Sequence, residues 1–140
     1  MKPMTMIKTA LDTNILIYSH FLENEDKRTI SRELLSKHPL VSAQVISEYL
    51  NVMRRLLKST TVKEDLMDLC SEWMSMCVVH PIHIPTIQSA KRLIIRYDFQ
   101  IFDSIIVASA LEAGCKVLYS EDMQHNLQVD KQLTIINPFI

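Results

Sequence analysis

Residues 102–122 read FDSIIVASALEAGCKVLYSED, and much of the architecture can be worked out from them. Phe102 to Ala113 is apolar and small-faced nearly all round, the pattern of a buried helix. Gly114 stands where such a helix would close in the left-handed conformation. Lys116 to Tyr119 then reads as a short apolar strand, and Ser120-Glu121-Asp122 leaves that strand at its carboxyl end. Ser120 to Gln128 reads as a loop or short helix, and Leu133 to Ile136 as a last strand.

The same alternation extends towards the N-terminus. Pro85 to Arg96 suits a helix with proline in its first turn. It is preceded by extended Val78 to His80 and by a helix over Thr61 to Cys77, capped at Thr60 or Thr61. Ala43 to Lys58 is a long helix entered from a brief strand, Leu40-Val41-Ser42. Glu25 to Lys37 is another helix, broken at His38-Pro39. Met6 to Leu11 is a first strand, followed by a helix over Thr13 to His20. Short apolar strands separated by helices indicate a parallel sheet covered on both faces. The expected fold is three-layer α/β/α with a central, mainly parallel sheet, as one domain over residues 1–140.

Composition narrows the function. With 140 residues, 48% of them hydrophobic, the chain can bury a sizeable core. No apolar run is long enough to span a bilayer, and the first residues lack the form of a secretory signal, so a cytoplasmic location is expected. The net charge of -1 carries no global signal for nucleic acid, so any phosphate-binding surface must be local. Arg54, Arg55 and Lys58 form one basic cluster and Lys91, Arg92 and Arg96 another; either also suits a solvated helix face. The single glycine excludes glycine-rich dinucleotide and phosphate loops. Cys70, Cys77 and Cys115 have no paired spacing, which favours buried thiols over a disulfide, a zinc site or a nucleophile. His20, His38, His80 and His83 show no ligand spacing.

Four acids remain. In open α/β sheets chemistry sits outside the carboxyl ends of the strands, where Asp12 and Asp122 fall. Each could equally be a helix cap. Glu48 lies roughly 40° outside Val52 on the helical wheel, at the margin of the apolar arc. A carboxylate there needs a partner, which is either Arg55 or a functional site. Asp103 opens the most apolar helix, as a first-turn acid or as a group held at the sheet edge. Gathered together, such acids repel and their pKa values rise unless a cation neutralises them. A hard divalent ion answers that need, and magnesium, bound through one or two carboxylates with waters and phosphate, fits best. Thr13, Asn14, Ser104 and Ser120 beside the acids could orient its waters.

This ordered set resembles the PIN-domain family, and within it the VapC-type toxins of toxin–antitoxin pairs. Asp12-Thr13-Asn14 matches the first family signature, and Glu48 in Ser47-Glu48-Tyr49 the mid-chain glutamate. Asp103-Ser104-Ile105-Ile106-Val107-Ala108-Ser109-Ala110 matches the third motif, and Ser120-Glu121-Asp122 the fourth. The likeness runs from Asp12 to Asp122. It departs at Phe102, where tryptophan is frequent, and at Asn126, where glycine is common. The resemblance implies an endoribonuclease dependent on Mg2+ or Mn2+, working by in-line water attack, with RNA as substrate, a homodimer and a small antitoxin as partner. It also implies that Asp12, Glu48 and Asp103 hold the metal and that Asp122 completes the site, with Glu121 as the substitute.

Two rivals stand beside it. A PIN module without catalysis would bind RNA or a partner only, yet all four acids are present. A phosphatase of the haloacid-dehalogenase type would also use an aspartate after the first strand. It would want an acid or threonine where Asn14 stands, and a lysine better placed than Lys116.

Overall fold

The computed structural model describes residues 8–20, 23–56, 68, 71–72 and 75–140. Six strands form one sheet: β1 (Thr9–Leu11), β2 (Leu40–Ser42), β3 (Val78–His80), β4 (Val117–Tyr119), β5 (Gln128–Val129) and β6 (Leu133–Ile136). Their spatial order is β3-β2-β1-β4-β6-β5. Every pairing is parallel except β5 with β6. Among the described residues five helices accompany the sheet: α1 (Thr13–Tyr18), α2 (Glu25–Leu35), α3 (Ala43–Leu56), α4 (Ile84–Tyr97) and α5 (Ile101–Glu112). This is the α/β class with a mainly parallel sheet expected from the alternation. The helix expected over 61–77 lies largely outside the described residues, as do Met6, Lys58 and Cys70.

The strands are short and apolar because the sheet forms the core. Ala10, Leu11, Val41, Leu118, Leu133 and Ile135 are buried on it. Helix α5 is buried through Ser104–Ala110 and has no polar face, as its composition requires. It ends at Ala113, with Gly114 at φ +76°. There the amide of Gly114 donates to Leu111 and that of Cys115 to Ala110, 3.0 and 2.9 Å. The pair satisfies carbonyls that the helix leaves over. The chain then turns directly into β4, whose register with β1 sets Leu11 opposite Tyr119.

The strand β5 departs from expectation, since Ser120 to Gln128 reads as loop or helix. It pairs antiparallel to β6 through the three-residue connection Asp130 to Gln132, in which Asp130 and Lys131 are both left-handed, φ 50° and 57°. Such hairpin turns favour glycine, and Asp-Lys gives no such cue. Asp130 is braced from outside, by Arg92 at 2.8 Å and by the Tyr97 hydroxyl at 3.0 Å. Asn126 is also left-handed, φ 67°, a conformation asparagine tolerates.

No helix of the described residues is long and apolar enough to cross a membrane. Cys77 and Cys115 are buried free thiols whose pKa values burial pushes up to about 11. Both are poor nucleophiles.

Candidate metal centre

Because β1 and β4 are parallel neighbours, the residues that leave them emerge side by side. The Asp12 amide donates to the Tyr119 carbonyl at 2.9 Å. One step on, the Ser120 hydroxyl donates to Asp12 Oδ2 at 2.6 Å. Asp12 also caps α1, its Oδ1 accepting from the Thr13 amide at 2.7 Å. Capping and participation in a site are therefore not alternatives here, since one oxygen serves the helix and the other faces β4. At 5% exposure Asp12 is buried.

Glu48 and Asp103 lie near it, and Asp122 near Asp103. Glu48, half-buried on α3 beside fully buried Val45 and Tyr49, accepts from Thr13 Oγ1 at 2.5 Å. Its partner is thus a hydroxyl next to Asp12, and it forms no ion pair with Arg55 among the described residues. Asp122 accepts from Asn14 Nδ2 at 3.1 Å. Asp103, in the first turn of α5, lies within electrostatic range of Asp12, Glu48 and Asp122.

The Asp12 carboxyl is pushed up to about 6, by burial above all and with the help of Asp103 and Glu48, against the lowering effect of Ser120 and Thr13. The Asp103 carboxyl is raised by burial first and then by Glu48 and Asp122. Among the described residues no lysine or arginine forms an ion pair with any of the four. Uncompensated negative charge of this kind fits a hard divalent cation, with every donor an oxygen.

Two neighbouring residues take other work. Glu121 turns away to Lys27, 2.8 Å from Nζ, and accepts from the Tyr18 hydroxyl at 3.1 Å. Ser104, fully buried, donates to the Ala90 carbonyl at 2.6 Å and so ties α5 to α4. The expectation that it orients metal-bound water does not fit that contact. Of the basic candidates, Arg54 and Arg55 are exposed in the last turn of α3. Lys91 is exposed on α4. Arg92 and Arg96 share Asp130, at 2.8 and 3.8 Å.

A second group of donors escaped the reading of the sequence. His80, His83 and Glu112 place ligand atoms within 4.8 Å of one another, and they are the one group among the described residues that meets so tight a limit. The four acids are spaced more widely.

Comparison with known proteins gives a consistent answer. The family model described as PIN domain matches residues 9–128. No curated protein matches the sequence. Among solved structures, a toxin–antitoxin complex from Klebsiella pneumoniae is similar with TM-score 0.68 at 16% identity, over 94% of this chain and 98% of that one. FitAcB from Neisseria gonorrhoeae gives TM-score 0.67 at 16% identity, over 94% and 98%. VapC20 of Mycobacterium tuberculosis, a toxin that cleaves the sarcin–ricin loop, gives 0.64 at 13% identity, over 82% and 90%. At such identities the likeness bears on the fold.

Proposed function

Since the chain belongs to the PIN-domain family, we propose that it is a metal-dependent endoribonuclease, the toxin of a toxin–antitoxin pair acting in the cytoplasm. The observation that carries this reading is the buried Asp12 carboxylate. It is held between Ser120 and Thr13, with Asp103 and Glu48 close enough to raise its pKa and, among the described residues, no ion-paired basic group in compensation.

Asp12, Glu48, Asp103 and Asp122 would hold the ion, Mg2+ with Mn2+ as a substitute. When bound, it supplies charge stabilisation at the scissile phosphate and a more acidic water. The remaining work belongs to the chain. Ser120 and the Thr13 amide fix Asp12 in one orientation, and the Thr13 hydroxyl holds Glu48 Oε2. Glu48 is thereby left with Oε1 to orient the attacking water. Asn14 steadies Asp122, and the Lys27 contact with Glu121 favours Asp122 as the fourth acid. Exposed Arg54 and Arg55, with Lys58, supply local positive charge for the RNA backbone on a chain of net charge -1. Arg92 and Arg96 are weaker candidates, their charge being shared with Asp130. A homodimer and a small antitoxin partner complete the proposal, the latter supported by the likeness to toxin–antitoxin complexes.

The phosphatase reading loses its ground, because Lys116 precedes β4 and its amide pairs with Lys8 before β1. That is the amino end of the strands, about 13 Å from Asp12 for four residues at strand rise. The decisive experiment incubates structured RNA with the purified chain in Mg2+, in Mn2+ and in chelator, beside Asp103→Asn protein. Metal-dependent cutting that vanishes in the variant supports the nuclease. Tight RNA binding without cutting under any metal would leave a PIN module that binds only.

A further inference from the structure

We propose that His80, His83 and Glu112 form a second metal site, separate from the acidic cluster, for a divalent ion of the zinc class. The three residues come from three elements. His80 ends β3, His83 is the N-cap of α4, and Glu112 is the last residue of α5. Both imidazoles turn Nε2 towards the same carboxylate oxygen, Glu112 Oε2, at 2.9 Å from His80 and 3.6 Å from His83. The rings stand 65° apart with centroids separated by 6.0 Å, so the two nitrogens converge without stacking. Two imidazole nitrogens and one carboxylate oxygen are the donor set of three-ligand zinc sites that keep a fourth position open. His83, about half exposed on its side chain, leaves that position to solvent.

The surroundings suit a metal ligand better than a simple ion pair would require. Thr86, fully buried, donates from Oγ1 to Glu112 Oε2 at 3.0 Å and lies 3.0 Å from His83 Nδ1. With the metal absent, Nδ1 can accept from the Thr86 amide at 3.4 Å, a long contact, while Nε2 carries the proton towards Glu112. With Nδ1 protonated it donates to Thr86 Oγ1 instead, and Nε2 presents its lone pair. Thr86 therefore has a partner for Nδ1 in either tautomer, its amide in one and its hydroxyl in the other. A partner on the second ring nitrogen is the usual means of orienting a ligating histidine. The motif is His80-Pro81-Ile82-His83 plus an acid from the far end of the α4–α5 pair. A bound ion would staple the β3–α4 connection to α5, the helix that carries Asp103 at its other end.

The ions differ in kind, and that separates the two sites. An all-oxygen cluster accepts Mg2+, whereas histidine nitrogens select Zn2+ or Co2+. Co2+ is titrated into the full-length protein with Mg2+ in large excess, and visible absorption and the imidazole C–H resonances are followed. One saturable equivalent is expected, with the His80 and His83 resonances broadened and the absorption displaced by Zn2+. His83→Asn keeps a capping side chain on α4, and Glu112→Gln keeps the volume. Each should weaken binding at least about tenfold while thermal unfolding stays cooperative. Absence of saturable Co2+ binding overturns the proposal, as does affinity unchanged in both variants. Binding lost in Asp103→Asn but kept in His83→Asn would place the ion in the acidic cluster and overturn it equally. RNA cleavage does not enter the readout, so failure here leaves the nuclease reading untouched.

Discussion

Ser120 shows how much one small side chain can carry. Its hydroxyl donates to Asp12 Oδ2 at 2.6 Å and accepts from the Met123 amide at 3.3 Å, in a fully buried position. Ser120→Ala would strip the Asp12 carboxylate of a buried donor and leave an amide unsatisfied. The expected cost is about 1–3 kcal/mol of stability, read from urea unfolding in chelator at neutral pH. It should also raise the Asp12 pKa further, because the lowering contribution of that hydrogen bond is gone. Thr13→Val, which removes the hydroxyl that holds Glu48, should reduce cleavage sharply with little effect on the melting curve. Cleavage at the native rate in Thr13→Val protein would show that Glu48 needs no such anchor. Residue type and order made the acids legible in the sequence. The choice between Glu121 and Asp122 was not, because it turns on Lys27, contributed by α2 from 94 residues away. Nor was the His80–His83–Glu112 group, whose spacing is meaningful only once α4 and α5 lie side by side.

At the level of elements, the segment from α5 to β4 folds as its composition dictates, and the reason is local. Gly114 takes φ +76°, and nothing lies within 4 Å of where a Cβ would stand. Gly114→Ala therefore meets no clash, and its whole cost is the left-handed backbone, about 1–2 kcal/mol. Equilibrium unfolding measures this directly, and a neutral result would mean that the helix end shifts out of that conformation. Ser104→Ala tests the neighbouring contact, since the buried Ala90 carbonyl loses a donor. A loss of about 1 kcal/mol is expected, with the metal dependence of cleavage unchanged if Ser104 only joins helices. Elements defined by their own residues were legible in this way, from the apolar α5 to the proline in the first turn of α4. The edge strand β5 was not. Its turn relies on Asp130 and Lys131 in left-handed conformations that Arg92 and Tyr97 hold in place from another element.

For the whole molecule, the acidic cluster ties stability to pH in a direction opposite to that of most carboxylates. A salt-bridged aspartate is stabilised by ionisation. Asp12 instead has its carboxyl raised from 3.8 to about 6, chiefly by burial, so the fold prefers it protonated. That preference is fully present below the unfolded value of 3.8 and is lost as pH rises through about 6. Asp103 is raised as well and acts in the same sense. The metal-free protein should therefore lose about 1–3 kcal/mol between about pH 4 and about pH 7. Urea unfolding in chelator across that interval measures the loss, and Asp12→Asn protein should show a flatter profile. Mg2+ requires the ionised acids, so its stabilising effect should be small at about pH 4.5 and grow towards about pH 7.5. In Asp12→Asn it should shrink at every pH. Equal stabilisation of wild type and Asp12→Asn by Mg2+ would mean that the ion binds elsewhere. A chelated stability that rises from pH 4 to pH 7 would mean that groups of the opposite sense, such as His20, whose pKa burial lowers, outweigh Asp12. The paired outcome, a fall with pH that Mg2+ reverses only when Asp12 is present, is what an acidic centre built to receive a cation requires.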